Sequence, residues 1–163
     1  MKRQAGTSGK AKPSRKRDHL VTRAIEETEF LAVDLVIVSS RRIDLLIPAF
    51  GQHVSVMRNE KIGRKTILLL STGGYVPHDD NIDKRINKLL LSQIKLIQAL
   101  SKEARQQWDN ATTRTFDIGI QAGKSPTVYE MRLTRQAVSA VSEVGGSIQI
   151  TVYGSVQREL LQT

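Results

Sequence analysis

The sequence contains no cysteine. A disulfide framework, a thiolate nucleophile and a thiolate metal site are therefore excluded, and a reducing cytoplasm is compatible with the chain. No apolar run approaches the roughly 18 to 20 residues that a membrane span needs, and the basic N-terminus is not followed by the apolar stretch of a signal peptide. The expectation is a soluble, cytoplasmic protein with no membrane partner. Histidines are few and far apart, at His19, His53 and His78. No serine has the strained elbow pattern of a hydrolase. No catalytic residue, metal ligand or cofactor site is therefore assigned, and the chain reads as non-enzymatic.

Acidic residues are also missing from one end. The net charge of +9 belongs to a tail: Lys2, Arg3, Lys10, Lys12, Arg15, Lys16 and Arg17 place seven cations and no acid in the first 17 residues. The remainder holds 18 basic against 16 acidic residues, a net of +2. The tail, "MKRQAGTSGKAKPSRKR", has no large apolar residue after Met1. It cannot bury enough surface to offset its ordering entropy and is expected to be disordered when free. Those seven cations are the candidate nucleic-acid-binding residues, suited to phosphates rather than to base edges.

Beyond the tail, the chain has the patterning of one domain. "FLAVDLVIV", residues 30–38, is apolar at nearly every position, as in a central strand covered on both faces or nearly so. Ser39 or Ser40 can accept from the next turn. Ile43, Leu46, Ile47 and Phe50 then fall at helical spacing before Gly51, with Pro48 expected to kink or shorten the helix. "HVSVM" alternates as a short strand, "NEKIGRK" reads as a polar turn and "TILLL" as a buried strand. One long helix is expected next, capped by Asp79 or Asp80, with its apolar stripe running from Ile82 to Trp108. "TFDIGIQ" alternates as a half-buried strand, and a Thr134-capped helix leads to the strand "SIQITVY".

The chain says one thing twice. A single shift that carries Ser40 onto Thr134 also carries Ile47 onto Val141, Phe50 onto Val144, Gly51 onto Gly145, Val54 onto Ile148 and Val56 onto Ile150. Both segments read as βαβ-type units, which with the long helix predict an α+β fold: an elaborated ferredoxin-like sandwich with helices on one face of a mainly antiparallel sheet. The expected layout is a disordered tail over 1–17, a connector over 18–29, the domain over 30–156 and a C-terminal tail over 157–163. The expected core is Leu35, Ile37, Ile47, Phe50, Leu68, Ile86, Leu90, Ile97, Ile118, Val141 and Ile150.

The order "RKTILLLSTGG", "DDNIDKRINKLL", "FDIGIQ" and "LTRQAVSAVSEVGGSIQITVY" resembles the small bacterial proteins of the domain of unknown function 4279 family, over roughly residues 30–153. It departs from them at Leu68 or Leu69, where a tryptophan commonly stands. The resemblance implies a compact binding domain, some of whose relatives serve as immunity-type proteins, and it carries no catalytic residue.

Four constellations invite chemistry. "HDDNID", residues 78–83, starts like a calcium loop but has Lys84 where the turn glycine belongs and Leu90 where a bidentate glutamate belongs, so helix capping accounts for it better. "GRKT" from Gly63 lacks the glycine spacing of a phosphate loop and reads as a polar hairpin, and "STGGY" reads as a connector although its amides could wrap an anion. Asp34 and Asp117 interrupt strands, and an exposed or arginine-paired structural role is the plainer reading of each. Trp108 reads as a core plug. An RNA-binding sheet face needs stacking aromatics, and "TFDIGIQ" offers only Phe116.

Function is accordingly expected to be recognition of a protein partner, with nucleic-acid association through the arm as the alternative, an enzyme of unrecognised type as the second, and a homodimer as a further partner. The arm reading makes a measurable prediction. If about six of its cations engage duplex phosphates, counterion release lowers affinity roughly a thousandfold between 50 and 200 mM salt. Filter binding of the full chain across that range should show this slope, and replacing the seven cations with glutamine should abolish it.

Overall fold

The computed structural model describes residues 20–24, 26–71, 81–154 and 156–160. The seven arm cations, His19, His78, Asp79 and Asp80 lie outside them. The first strand described, β1 (Leu20–Ala24), pairs antiparallel with the last, β7 (Val156–Leu160). Segments that read from the sequence as a connector and a tail thus contribute a two-stranded ribbon.

The main sheet is built around β2 (Glu29–Ser39), which forms because β-branched and apolar residues run almost unbroken along it. Its neighbours are β4 (Lys65–Ser71) on one side and β5 (Thr113–Gln121) on the other, with β3 (Ser55–Ile62) and β6 (Ser147–Tyr153) at the two edges. Pairing is antiparallel except between β5 and β6. The connection β2–helix–β3–β4–helices–β5, in spatial order β3-β4-β2-β5, is the ferredoxin-like arrangement. A further helix and strand, α4 (Arg135–Glu143) and β6, are appended beside β5. The α+β class and the elaborated ferredoxin-like topology are as the sequence patterning implies.

Val33, Leu35 and Ile37 of β2 and Phe116, Ile118 and Ile120 of β5 enter one core with the buried faces of the helices. The alternate residues Asp34, Val36 and Val38 remain half-buried. The expectation that β2 is covered on both faces is corrected on this point: the described helices share a core with one face only.

The first helix, α1 (Leu46–Phe50), is short. Pro48 is its third residue, where the missing amide would have had no intrahelical acceptor. Ile43, Leu46 and Phe50 are buried and Ile47 half-buried, so the apolar face is as expected although the helix begins late. The polar stretch after Met57 is strand rather than turn. β3 runs to Ile62, and the hairpin is closed by Gly63 and Arg64 alone, with Gly63 at φ 60°. Positive φ at the first central residue only is the pattern of a type II′ turn, which matches strand twist.

The long helix is two helices, α2 (Ile82–Gln98) and α3 (Lys102–Asp109). The apolar stripe continues across the break: Ile86, Leu90, Ile97, Ala104 and Trp108 are all buried. Ser101 makes the break, since it takes extended dihedrals and its side chain accepts from the Ala104 amide. The cap of α2 is Asn81, whose Oδ1 accepts from the Lys84 amide at 2.9 Å. Thr134 caps α4 as expected, accepting from the Ala137 amide.

The two repeated glycines both have positive φ, 56° at Gly51 and 69° at Gly145. They leave their helices differently. Gly51 pairs its φ with a ψ of −138°, a region essentially reserved for glycine. Gly145 and Gly146 form a Schellman ending, with amides donating to the Ser142 and Val141 carbonyls at 2.9 Å each. Of the expected core, only Ile150 is exposed, at 51%. No described element covers β6 beyond Ile148 on that face.

Phe50 is 1% exposed. Phe50→Ala should therefore cost about 3 to 5 kcal/mol as a large-to-small core change. Chemical denaturation checks this, and an unchanged midpoint would detach α1 from the sheet.

Candidate binding groove at the sheet edge

The exposed Ile150 belongs to a constellation. β5 pairs with β6 so that Ile118 faces Ile150 and Ile120 faces Val152. The first residue of each pair is buried, whereas Ile150 and Val152 are 51% and 61% exposed. A groove of about 470 Å³ lies over this row, bounded by Ile120, Ile150 and Val152 below and by Pro126, Tyr129 and Met131 of the β5–α4 segment. Its size falls in the range of ligand pockets, and its lining is mainly apolar.

The far wall is held at both ends. Near its start, the Gly123 amide donates to Thr28 Oγ1 at 3.0 Å. The Lys124 and Ser125 amides donate to the Glu26 carbonyl, and the Thr28 amide to the Ser125 carbonyl at 2.7 Å. Only glycine passes here, because a Cβ at Gly123 would lie 2.2 Å from the Glu27 backbone. Near its end, the Arg132 amide donates to Asp83 Oδ1 at 2.8 Å. The buried Asn87 donates to the Arg132 carbonyl and accepts from the Thr134 amide and hydroxyl. Between these anchors the Tyr129 hydroxyl is buried and has no hydrogen-bond partner among the described residues. Burial, with the Asp83 carboxylate adding to it, pushes its phenol above the ordinary value.

Asp34 and Asp117 do converge, as direct partners on the central strands. They face the side away from the core, in a row with Ser71 and Gln149. Thr151 Oγ1 donates to Asp117 Oδ1 at 2.7 Å, while Asp34 Oδ1 is buried without a partner among the described residues. Among the described residues no arginine joins them: Arg58, one row away, is ion-paired with Glu60. Among the described residues no group of three His, Cys, Asp or Glu could hold a metal ion. Trp108 is fully buried and plugs the core, as expected. Asn81 and Asp83 serve helix and loop, His53 stands exposed beyond α1, and Gly63 to Thr66 form a hairpin.

At the opposite end of the sheet lies a second cavity, of about 440 Å³, lined by polar residues including Arg41, Arg42, Lys61 and Arg64. No helix among the described residues is long and apolar enough to cross a membrane. No family model, no curated protein and no solved structure matches the chain.

Sequence reading misses the groove because Ile150 and Val152 carry the same alternation as covered strand residues. The available signal is the complete lack of charge from Gly145 to Val156. The carboxylate pair supports a separate expectation. Like charges directly opposite on neighbouring strands are destabilising, so Asp34→Asn should stabilise the fold by about 0.2 to 1 kcal/mol at neutral pH. A raised denaturation midpoint would show it, and a lowered one would mean that the charge of Asp34 is needed.

Proposed function

We propose that this chain is a non-enzymatic binding domain that recognises a protein partner through β6, the partner adding an extended strand to the edge and seating apolar side chains in the groove. The observation that carries this reading is the contrast between the two edges. β3 is blunted by Arg58, Glu60 and Lys61 and by a register shift between Val56 and Arg58. β6 carries no charge, and Ile150, Val152 and Tyr153 are exposed along it. Strand addition draws affinity from main-chain hydrogen bonds and specificity from pockets for alternate side chains, and β6 has a groove beside it and an outer edge that no strand among the described residues pairs. The resemblance over residues 30–153 to the 4279 family points the same way, toward an immunity-type partner.

Capture from a native, nuclease-treated lysate tests the proposal. Wild-type chain should retain a protein that Val152→Asp and Ile150→Lys do not, while both variants keep the wild-type denaturation midpoint because these side chains are more than half exposed. A dimer in sedimentation that the same changes abolish would identify the partner as a second copy. Retention that ignores both substitutions sinks the groove as the recognition surface, and capture that vanishes with nuclease favours nucleic-acid association through the arm.

A further inference from the structure

β2 and β3 run parallel with β4 between them, so their C-terminal ends emerge on the same side of the sheet. The chain leaves β2 through Ser39, whose Oγ accepts from the Arg41 amide at 3.0 Å and bends the next residues over the rim. The tight Gly63–Arg64 turn joins the end of β3 to the start of β4, the strand beside β2. The topology thus brings Arg41 and Arg42 from one loop together with Lys61 and Arg64 from a hairpin about twenty residues later, around the open cavity of about 440 Å³. Ser40 and Thr66 add hydroxyls, and no acidic residue and no large apolar residue lines it.

Four cations held together repel one another unless something neutralises them. One neutraliser is present. Arg42 binds Asp44 at 2.8 Å, and this contact, with its hydrogen bond, holds the Asp44 carboxyl below its ordinary value. Arg41 is spent only on a neutral group, donating from Nη1 to Asn110 Oδ1 at 2.8 Å. Lys61 and Arg64 have no acidic partner among the described residues. Guanidinium forks, an ammonium and hydroxyls converging on one opening without an acidic residue match the tetrahedral, multiply charged oxygens of phosphate.

We infer that this cavity is a binding site for a phosphate-bearing ligand, recognised through its phosphate groups by Arg41, Arg42, Lys61 and Arg64. The site is remote from the groove and does not depend on the protein-binding reading. It differs from a phosphate loop in kind, since charged side chains from two separate turns, rather than a glycine-rich run of amides, make it.

The test uses full-length chain whose seven arm cations are replaced by glutamine, so that the arm cannot bind in place of the cavity. Isothermal titration at about 50 mM salt, where charge-mediated binding is strong, should detect one tripolyphosphate per chain. Lys61→Gln with Arg64→Gln should weaken it about tenfold or more, as charge-assisted hydrogen bonds are lost. Both residues are exposed on a hairpin, so an unchanged denaturation midpoint should accompany the loss. A short single-stranded oligonucleotide, titrated in parallel, identifies the carrier. Loss of its binding in the double variant assigns the site to nucleic-acid phosphates, and tripolyphosphate binding without it assigns a free polyphosphate or nucleotide. Absence of binding by either probe, or equal binding by the double variant, overturns the inference.

Discussion

Arg114 and Trp108 together fix where two helices end, α3 and α4. Arg114 stands opposite Ile37 at the start of β5, and its guanidinium donates to the Trp108 and Asp109 carbonyls at 3.1 and 2.8 Å and to the Gly145 carbonyl at 2.9 Å. The Trp108 indole N–H donates to the Val144 carbonyl at 2.8 Å from a fully buried site. Helix C-termini leave carbonyls unpaired and carry partial negative charge, so a cation placed between two of them satisfies both. The exit of α4 is thereby set against the core. Gly146 packs so closely on Phe116 that a Cβ there would lie 2.6 Å from the ring. β6 can then lie only alongside β5, and every property of the groove derives from that placement.

Much of this is legible in the sequence. The alternation in "TFDIGIQ", the buried run in β2, the cap at Thr134 and the glycine exits are local signals, and each corresponds to an observed element. The boundary at Ser101 is not legible, because the apolar stripe that defines the helix face continues across it and a single capping hydroxyl makes the difference. The same holds for "NEKIGRK", where polar residues sit on an edge strand that the sheet allows to be solvated. The repeat predicts a positive-φ glycine after α1 and α4, at Gly51 and Gly145, but neither a common beginning nor a common exit, since α1 has five residues and α4 nine and only α4 closes in a Schellman ending.

The candidate sites are legible only in part, and for one reason. Asp34 and Asp117 are conspicuous as charges within apolar strands, yet their pairing is a matter of register between strands far apart in sequence. Ile150 and Val152 have core-like identities and positions, and among the described residues no helix covers them. Arg41 and Arg64 are unremarkable alone and become a cavity because β2 and β3 run in parallel. Sequence patterning reports what a residue does with its own element, whereas these sites arise from what a neighbouring element leaves uncovered.

The separation of the two surfaces has a physical consequence of its own. β2 has eleven residues, which at about 3.3 Å per residue span roughly 36 Å, and the groove and the cationic cavity lie toward opposite ends of it. At physiological ionic strength charge is screened over about 8 Å, so a phosphate held at Arg41 and Lys61 exerts little direct force on a side chain seated against Val152. Communication between them would have to be mechanical, through β2 itself. That strand is clamped by β5 from Glu29 to Val38, by β4 from Asp34 to Ser39, and by Gln93, which donates to the Val33 carbonyl at 2.7 Å. Close-packed strands of this kind resist sliding, because a one-residue slip would turn Leu35 and Ile37 out of the core. The sheet is therefore a rigid spacer between an uncharged edge and a cationic rim, and ligands at the two proposed surfaces would act independently.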